Sequence, residues 1–490
     1  MIGFLIAAAM ASAINTSTCE NLTLLSLENT TIETSVVVPA GVFRGADVNN
    51  TQPAIPEHCR LTMVLAPTSD SHINVELWLP MSDWNGKFLA VGNGGWAGSI
   101  QGYTDMQTAL RRGYATAATD TGHLAADGPG AMFGLGHPEK IVDFAYRSIH
   151  EMTVKSKKLI NSFYSEPVNY AYFKGCSTGG RQAVMAAQRY PGDFDGIIAG
   201  ALANRHVHMQ TAGTYRGINL ARNPDKVIPA TTAAMVTEAV MSQCDVLEEG
   251  FLNNPLQCAF DFSSLQCDAG QDSQSCLTPP QLEMVEEYYG GLRYSTGELI
   301  FSGQALGNRL DASAVSIANS TVRNHADSIR ILGFQNPDYD LNEFELDRDL
   351  PIIDAVTGFV DSANPDLRAF EAHGAKLLLY AGWGDTIITP VNTLYYYDSV
   401  LEEMGPEQDD WIRLFMVPGM GHCRGGDGPY DFDSITALEQ WREEDIAPIE
   451  IMASNPNSGL TRPLCTHPAA SEYDGSGDLL DSANWSCIAP

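Results

Sequence analysis

The chain has few basic residues: 28 Lys and Arg stand against 60 Asp and Glu among 490 residues, which gives a formal charge of -32. Nucleic acids and anionic membranes are bound by clustered cations, so this balance predicts neither as a partner. Long apolar runs are also missing. A membrane helix needs about eighteen continuous apolar residues, and no stretch after the N-terminal segment approaches that length. The hydrophobic share of 44% is that of an ordinary globular protein with a substantial core.

Several features at the sequence level favour the secretory route. Residues 1–13 form a short apolar run that ends in Ala-Ser-Ala and predict a signal peptide, with a buried first strand or helix as the alternative. The 10 cysteines are an even number, which suits pairing in an oxidising compartment. N-glycosylation requires the same route, and Asn-X-Ser/Thr sequons occur at Asn15, Asn21, Asn29, Asn49, Asn319 and Asn484. We therefore expect a secreted, extracellular protein.

Strand-like and helix-like segments alternate between about residues 60 and 203. Apolar residues recur at helical spacing over 141–164, and the strand-like segments are 61–65, 73–79, 88–91, 115–119 and 170–173. Strand and helix in repetition predict a mostly parallel sheet with helices on its faces.

The pattern changes after residue 203. Helical pieces at 231–241 and 280–289 are separated by cysteines and by loops rich in Asn, Asp, Ser and Gly, and strand character returns only at 375–381 and 411–417. The simplest account is one α/β catalytic domain that is interrupted by a lid. The predicted bounds are 14–204 and 366–490 for the catalytic domain and 205–365 for the lid.

A serine surrounded by small residues, Gly-Cys-Ser-Thr-Gly at 175–179, follows the strand-like segment 170–173 and precedes a helix-like segment. A sharp strand-to-helix turn needs small flanking residues because its backbone is strained and crowded, and the turn exposes the serine hydroxyl. The alternative is a glycine-rich turn whose serine only caps the helix. The context predicts Ser177 as a nucleophile.

A serine hydroxyl needs a base, and the base needs a carboxylate that orients it. In a sheet of this kind the two follow the serine in the order Asp or Glu, then His, each just after a strand. Asp385 follows 375–381 and His422 follows 411–417. We therefore predict a Ser177–His422–Asp385 triad.

The other histidines are weaker candidates for the base. His123 follows a strand but precedes the serine, and His467 has no strand before it. His206 and His208 begin the predicted lid and could pair on a metal, although two such histidines are more often solvated surface residues.

Two cysteines adjoin the predicted nucleophile and base. Cys176 directly precedes Ser177, and Cys423 directly follows His422. If serine and histidine are in hydrogen-bond contact, the two cysteines lie within plausible disulfide reach, and a bridge would hold the base against the nucleophile. Two unrelated cysteines are the alternative.

Acyl transfer to a serine also needs N–H donors for the developing oxyanion. The backbone N–H of Thr178 is the expected first donor, and the glycine-rich loop 92–98 is expected to supply the second from Gly94 or Gly95. Phosphate binding, the other common use of such glycines, is disfavoured because the sequence has no Gly-Lys-Ser/Thr and no Gly-X-Gly-X-X-Gly motif. Trp96 in this loop is expected either to contact an aromatic acyl group or to pack.

Five segments together resemble the fungal tannase and feruloyl esterase family. They are Trp-Asn-Gly-Lys-Phe-Leu-Ala-Val-Gly-Asn-Gly-Gly at 84–95, Thr-Asp-Thr-Gly-His at 119–123, Gly-Cys-Ser-Thr-Gly-Gly-Arg-Gln at 175–182, Tyr-Pro-Gly-Asp-Phe-Asp-Gly-Ile at 190–197 and Gly-Met-Gly-His-Cys at 419–423. The similarity covers nearly the whole mature chain, and the paired Cys-Ser and His-Cys are specific to that family. It implies an α/β-hydrolase fold with a large inserted lid, hydrolysis of esters of phenolic acids, and a triad at Ser177, Asp385 and His422.

The resemblance also carries expectations about bridges and metal. The disulfides that it implies are Cys176–Cys423, Cys19–Cys59, Cys244–Cys258, Cys267–Cys276 and Cys465–Cys487. The family's lid usually holds a calcium loop after a Cys-Asp pair, and the corresponding loop here is shorter and has Glu where the family has Asp. Asp245 and Glu249 are the candidate ligands, but a calcium cage needs six or more oxygens, so the shortened loop disfavours one.

These observations predict a secreted carboxylic ester hydrolase that acts on small-molecule or polysaccharide-linked phenolic esters, feruloyl or galloyl, through an acyl-enzyme. The chemistry itself requires no cofactor. A serine peptidase on the same scaffold is one alternative. A non-catalytic binding module is another, and it is disfavoured because serine, histidine and their cysteines all stand in place.

Overall fold

The computed structural model describes residues 18–43, 53–268, 275–310 and 325–489. The predicted signal peptide and the sequons at Asn15, Asn49 and Asn319 lie outside these ranges. Within them, no helix combines the length and the apolar character that crossing a membrane requires.

The strands of the described chain are β1 Thr30–Val38, β2 His58–Leu65, β3 Ile73–Pro80, β4 Lys87–Val91, β5 Ala115–Thr119, β6 Tyr170–Cys176, β7 Gly196–Gly200, β8 Leu292–Arg293, β9 Leu299–Phe301, β10 Lys376–Gly382, β11 Ile412–Val417, β12 Asp431–Phe432, β13 Glu450–Ser454, β14 Thr461–Cys465, β15 Ala470–Tyr473 and β16 Trp485–Ile488. Its α-helices are α1 Tyr103–Arg111, α2 Pro138–Val142, α3 Ser148–Tyr164, α4 Thr178–Arg189, α5 His206–Arg222, α6 Ala230–Cys244, α7 Pro279–Gly290, α8 Leu346–Thr357, α9 Arg368–Ala372, α10 Pro390–Met404 and α11 Ser434–Glu444.

One central sheet organises the fold. Its strand order is β1-β2-β3-β5-β4-β6-β7-β10-β11. Six neighbouring strands run parallel to one another, namely β5, β4, β6, β7, β10 and β11. The strands β1, β2 and β3 form an antiparallel edge. The predicted mostly parallel sheet flanked by helices is therefore confirmed, and it has the arrangement of an α/β-hydrolase.

Helices cover both faces of this sheet because its central strands are apolar on both sides. In β10, Leu377 and Leu379 face the core that α3, α4 and α10 complete, while Leu378 and Tyr380 face the core that α11 completes. All four side chains are buried. The carboxyl ends of the parallel strands consequently meet at one edge of a rigid, fully packed layer.

The segment predicted as a lid lies between β7 and β10, two strands that are neighbours in the sheet. It contains α5 to α8 and the short hairpin β8–β9, and it builds apolar clusters of its own. One of these clusters includes Phe133 and Phe144, which belong to the connection between β5 and β6. The predicted lid thus packs against the connection between β5 and β6 through a shared apolar cluster. Its bounds at 205–365 stay a prediction.

Candidate active site

Ser177 occupies the turn between β6 and α4, in a strained backbone conformation with a positive φ of 65° and ψ -124°. Such a conformation costs free energy in a residue with a side chain and persists where the surroundings fix it. A Cβ on Gly175 would collide with the backbone of Gly179, and a Cβ on Gly179 would lie 2.9 Å from the carbonyl oxygen of Asn93. The small residues of the motif are therefore required by close backbone contacts on both sides of the serine.

Asp385 and His422 meet at the same edge of the sheet. They follow β10 and β11, which are adjacent parallel strands, and His422 Nδ1 lies 2.8 Å from Asp385 Oδ2. The other carboxylate oxygen, Oδ1, accepts the backbone N–H groups of Ile387 at 2.8 Å and Ile388 at 2.9 Å. Asp385 is 1% exposed, so these partners hold its carboxylate in one orientation.

A disulfide links the loop that carries the histidine to the turn that carries the serine. Cys176 and Cys423 are bonded, with their Cα atoms 5.9 Å apart. The remaining bridges are the same pairs that the resemblance implied, namely Cys19–Cys59, Cys244–Cys258, Cys267–Cys276 and Cys465–Cys487. Because Ser177 and His422 adjoin the first bridge, it brings the predicted nucleophile and base to one place.

The predicted oxyanion donors differ in whether they are available. Thr178 is the first residue of α4, where N–H groups have no intrahelical partner. The N–H of Gly94 is already committed, because it donates to the side-chain oxygen of Gln101 at 2.9 Å. Gly95, in contrast, lines the same cavity as Ser177. We therefore favour Gly95 as the second donor, and the assignment of either glycine stays a prediction.

Two side chains of α4 fasten the glycine-rich loop to the nucleophile turn. The Thr178 hydroxyl donates to the carbonyl oxygen of Gly95 at 2.6 Å. The Gln182 side chain accepts the N–H of Asn93 at 3.0 Å and donates to its side-chain oxygen at 3.2 Å. No sequence motif indicated a role for Gln182 or Asn93, although the spacing of four residues between Thr178 and Gln182 places these two on one helical face.

A cavity of about 480 Å³ opens at the serine. Ser177 and Thr178 form one end, and one face of α5 forms a wall with His206, Gln210 and Gly213 among its residues. Its polar and apolar lining, its size and its position at the carboxyl edge of a parallel sheet are typical of a small-molecule site. No sequence signal indicated this cavity, because its walls come from distant parts of the chain.

Trp96 both packs and lines this cavity, so the two expectations for it are not exclusive. Its ring lies edge-on to the ring of His206, with 4.7 Å between centroids. It also contacts Phe144 at 5.5 Å, and its side chain forms part of the cavity wall.

The structure separates the histidines that the sequence left as weaker candidates. His208 Nε2 lies 2.9 Å from Asp354 Oδ1, whereas His206 faces the cavity, so the two do not face a common metal position. His123 is buried and its ring stacks on Phe133 at 3.7 Å, and burial lowers its pKa to about 4. Burial also lowers the pKa of His467.

The residues of the shortened lid loop do not fit a calcium cage. The Asp245 carboxylate accepts the backbone N–H groups of Glu249 at 3.1 Å and Gly250 at 2.8 Å. Glu249 is paired with Arg462 at 2.5 Å, and both side chains are nearly inaccessible to solvent, at 7% and 0%. A guanidinium thus already neutralises one predicted ligand. In the ranges that the structure describes, no three His, Cys, Asp or Glu side chains are grouped so that they could hold a metal ion.

Comparison with known proteins identifies the family of the chain. A family model described as "Tannase and feruloyl esterase" matches residues 59–488. An uncharacterized esterase of Xanthomonas campestris is 34% identical, covering 99% of this chain and 93% of that protein. Feruloyl esterase B of Aspergillus niger is 30% identical, covering 88% of this chain and 86% of that protein.

Solved structures lead to the same group. Feruloyl esterase B from Aspergillus oryzae superposes with a TM-score of 0.86 at 29% identity, covering 96% of this chain and all of that one. Tannin acyl hydrolase from Aspergillus niger shares the fold, with a TM-score of 0.78 at 22% identity over 95% of this chain and 92% of that one. The chain is a carboxylic ester hydrolase and belongs to the tannase and feruloyl esterase family.

Proposed function

We propose that this protein hydrolyses feruloyl or galloyl esters of the phenolic-ester class through an acyl-enzyme on Ser177. The observation that carries the proposal is the 2.8 Å contact between His422 and Asp385. Cys423, the residue after this histidine, is bonded to Cys176, the residue before Ser177. The proposed nucleophile, base and orienting carboxylate follow neighbouring strands at one edge of the sheet, and the serine borders a cavity large enough for a small aromatic substrate.

The first half-reaction forms the acyl-enzyme. With Nδ1 donating to Asp385, the Nε2 atom of His422 is left as an acceptor for the Ser177 proton. Ser177 Oγ attacks the ester carbonyl, and the oxyanion accepts hydrogen bonds from the N–H groups of Thr178 and Gly95. His422 then passes the proton to the leaving alcohol, while Asp385 stabilises the imidazolium.

The second half-reaction releases the acid. Water enters where the alcohol left, His422 takes its proton, and the resulting hydroxide attacks the acyl carbonyl. The bond to Ser177 Oγ breaks and the proton returns to the serine. Both halves use the same donors and the same base, so no cofactor is needed.

The names of the relatives support a phenolic acyl group as the part of the substrate that the enzyme recognises. The chain is similar to proteins named feruloyl esterase B and shares its fold with a tannin acyl hydrolase. Aromatic side chains, among them Trp96, Tyr288 and Phe301, line the cavity beside Ser177, and they offer contacts for a flat acyl ring.

We also propose that the protein acts outside the cell. Five disulfides use all of its cysteines, which fits folding in an oxidising compartment. Expression in a secreting host with analysis of the medium tests this. Active enzyme in the medium, with a mature N-terminus just after Ala13, supports it, and active enzyme retained in the cytosol contradicts it.

Replacement of the nucleophile tests the catalytic proposal. Ser177→Ala should lower kcat/KM for methyl ferulate and methyl gallate by about 10³-fold or more, because only the oxyanion donors and binding remain. Ser476→Ala, at an exposed serine, is the matched control and should behave as the wild type. Ester turnover that survives in Ser177→Ala would refute the proposal, and turnover of peptides without phenolic esters would favour a peptidase.

A further inference from the structure

Three uncharged polar side chains in the cavity beside Ser177 have atoms without hydrogen-bond partners in the described part of the chain. They are both ring nitrogens of His206, Oε1 of Gln210 and Nδ1 of His325. The charged Arg216 lines the same cavity, and its Nε also lacks a partner there. His206 is only 1% exposed and Gln210 6%. Buried polar groups are almost always hydrogen-bonded, and an unmade bond destabilises the folded chain. Three such groups around one cavity point to a polar ligand that completes them.

The polar side chains lie along a line that starts at the nucleophile. The N–H of Ala203 donates to the carbonyl oxygen of Ser177 at 3.3 Å, and α5 begins three residues later with His206. Gln210 and Gly213 follow at spacings of four and three residues, so they share one face of the helix. With a rise of 1.5 Å per residue, His206 and Gly213 are about 10 Å apart along the axis. The polar groups therefore line one helical face that begins beside the nucleophile turn and borders the same cavity as Ser177.

Gly213 leaves room for the imidazole ring of His325 beside α5. A Cβ at Gly213 would lie 2.7 Å from Nδ1 of His325, so the ring of His325 rests directly on the helix backbone. A glycine in the interior of a helix is otherwise unfavourable. The missing side chain is what lets His325 reach the cavity wall.

The two histidines are neutral at ordinary pH. Burial lowers the pKa of His206 well below its usual value, with further lowering by the charge of Arg181. Burial also lowers the pKa of His325, to about 4. A neutral imidazole has one N–H donor and one acceptor nitrogen. That combination suits a hydroxyl group, which also donates and accepts, and it suits a carboxylate poorly.

The surroundings of these groups are aromatic. The ring of Trp96 meets His206 edge-on, and Phe301 and Tyr288 line the same cavity. The charged Arg216 lies farther along α5 and has Glu287 at 4.0 Å. A flat ring that carries hydroxyl groups is therefore the occupant that matches both the apolar walls and the unpaired polar atoms.

We propose that His206, Gln210 and His325 bind the ring hydroxyl groups of the acyl moiety, so that the enzyme selects hydroxylated aromatic acids over unsubstituted ones of the same shape. The selection rests on the proposed function, because it acts on the acyl group that Ser177 carries. It arises since an acyl ring without hydroxyl groups leaves the buried polar atoms unpaired.

Matched pairs of esters measure this selection directly. The pairs are methyl 4-hydroxycinnamate against methyl cinnamate, and methyl 3,4,5-trihydroxybenzoate against methyl benzoate. For the wild type, kcat/KM should favour the hydroxylated ester of at least one pair by about tenfold or more. His206→Phe, Gln210→Met and His325→Phe keep the side-chain shape and remove the hydrogen bonds, and each should reduce that preference by roughly five- to tenfold.

Two further variants control for packing. Gly213→Ala removes no polar group but displaces His325, and it should reduce the preference by a smaller factor while its helix stays folded, since alanine is the better helix former. If a cavity variant fails to fold, Gly213→Ala still tests the role of His325. His373→Phe, at an exposed histidine, makes the same replacement outside the cavity and should leave the preference at the wild-type value.

The possible failures are distinguishable. A preference that stays at the wild-type value in the cavity variants and in Gly213→Ala, with turnover still dependent on Ser177, would overturn the selection and leave the proposed function standing. The same holds for a wild type that does not prefer hydroxylated esters. Turnover that is independent of Ser177 would overturn both.

Discussion

The catalytic edge of the sheet and the cavity beside it differ in whether their buried polar atoms have hydrogen-bond partners. At the edge, both oxygens of Asp385 are hydrogen-bonded, and Gln182 holds Asn93. In the cavity, His206 and Gln210 keep atoms without a partner among the described residues. Both regions are buried, so a difference in solvent exposure does not explain the difference in hydrogen bonding.

This contrast separates chemistry from recognition. Catalytic groups work best when their orientation is fixed before substrate arrives, because reorganisation during the reaction raises the barrier. Groups that recognise a substrate must leave their hydrogen bonds to be made by it. In the proposed mechanism, the chain supplies its own hydrogen-bond partners where bonds are broken and leaves polar atoms open where the acyl group is selected.

The largest effect is expected from disturbing a fully paired catalytic group. In Asp385→Asn, the side-chain oxygen is needed by the N–H groups of Ile387 and Ile388, so the amide NH₂ faces His422 Nδ1. The histidine must then carry its proton on Nε2, where it cannot accept from Ser177. We expect kcat to fall by about 10³- to 10⁴-fold in steady-state assays.

A second histidine–aspartate pair provides the control for this prediction. His208 and Asp354 are 2.9 Å apart in the lid, so Asp354→Asn makes the same chemical change away from the catalytic edge. Its kcat should stay near the wild-type value. Similar losses in both variants would show that Asp385 acts through general stability and not through His422.

A smaller effect is expected from loosening the link between the two catalytic loops. Replacing both Cys176 and Cys423 by alanine removes their bridge, and a displacement of about 1 Å between nucleophile and base costs up to 10²-fold in rate. We expect kcat/KM to fall by about 10- to 100-fold, measured at a temperature where circular dichroism shows the variant to be folded.

Removal of another bridge tests whether this loss is specific. Cys465–Cys487 joins two strands of the C-terminal region, and the double alanine variant there should lower the Tm with little change in kcat/KM. If the Cys176–Cys423 variant is equally active once folded, the bridge serves folding alone.

The smallest effect is expected from removing metal ions. Glu249 is paired with Arg462 and Asp245 with backbone N–H groups, so these side chains need no cation. Excess EDTA should change the Tm by less than about 1 °C and leave kcat/KM unaltered. A Tm that drops by several degrees and recovers with added calcium would show that the loop binds the ion after all.

Much of the catalytic edge could be predicted from the sequence because each of its residues adjoins an apolar strand. Asp385 follows β10 and His422 follows β11, and the carboxyl ends of parallel strands share an edge. The strand β7 was not predicted, since Gly196–Gly200 holds only three apolar side chains between two glycines. The antiparallel strand β1 was also missed, because its alternation is interrupted by threonines and a glutamate.

The cavity could not be predicted for a different physical reason. His206 and His325 are more than a hundred positions apart in sequence, and neither lies in a motif. Their meeting depends on the packing of the lid and on the bare backbone of Gly213. The hydrogen bond that occupies the Gly94 N–H likewise depends on one side chain, that of Gln101.

Covalent labelling of the nucleophile tests the central claim most directly. An organophosphonate forms a stable bond with a serine only where a base activates it and an oxyanion site receives its phosphoryl oxygen. After labelling and digestion, mass spectrometry should locate a single adduct on the peptide that contains Ser177, and Asp385→Asn should label far more slowly than Asp354→Asn. The absence of an adduct in active enzyme, or an adduct on another residue, would contradict the account.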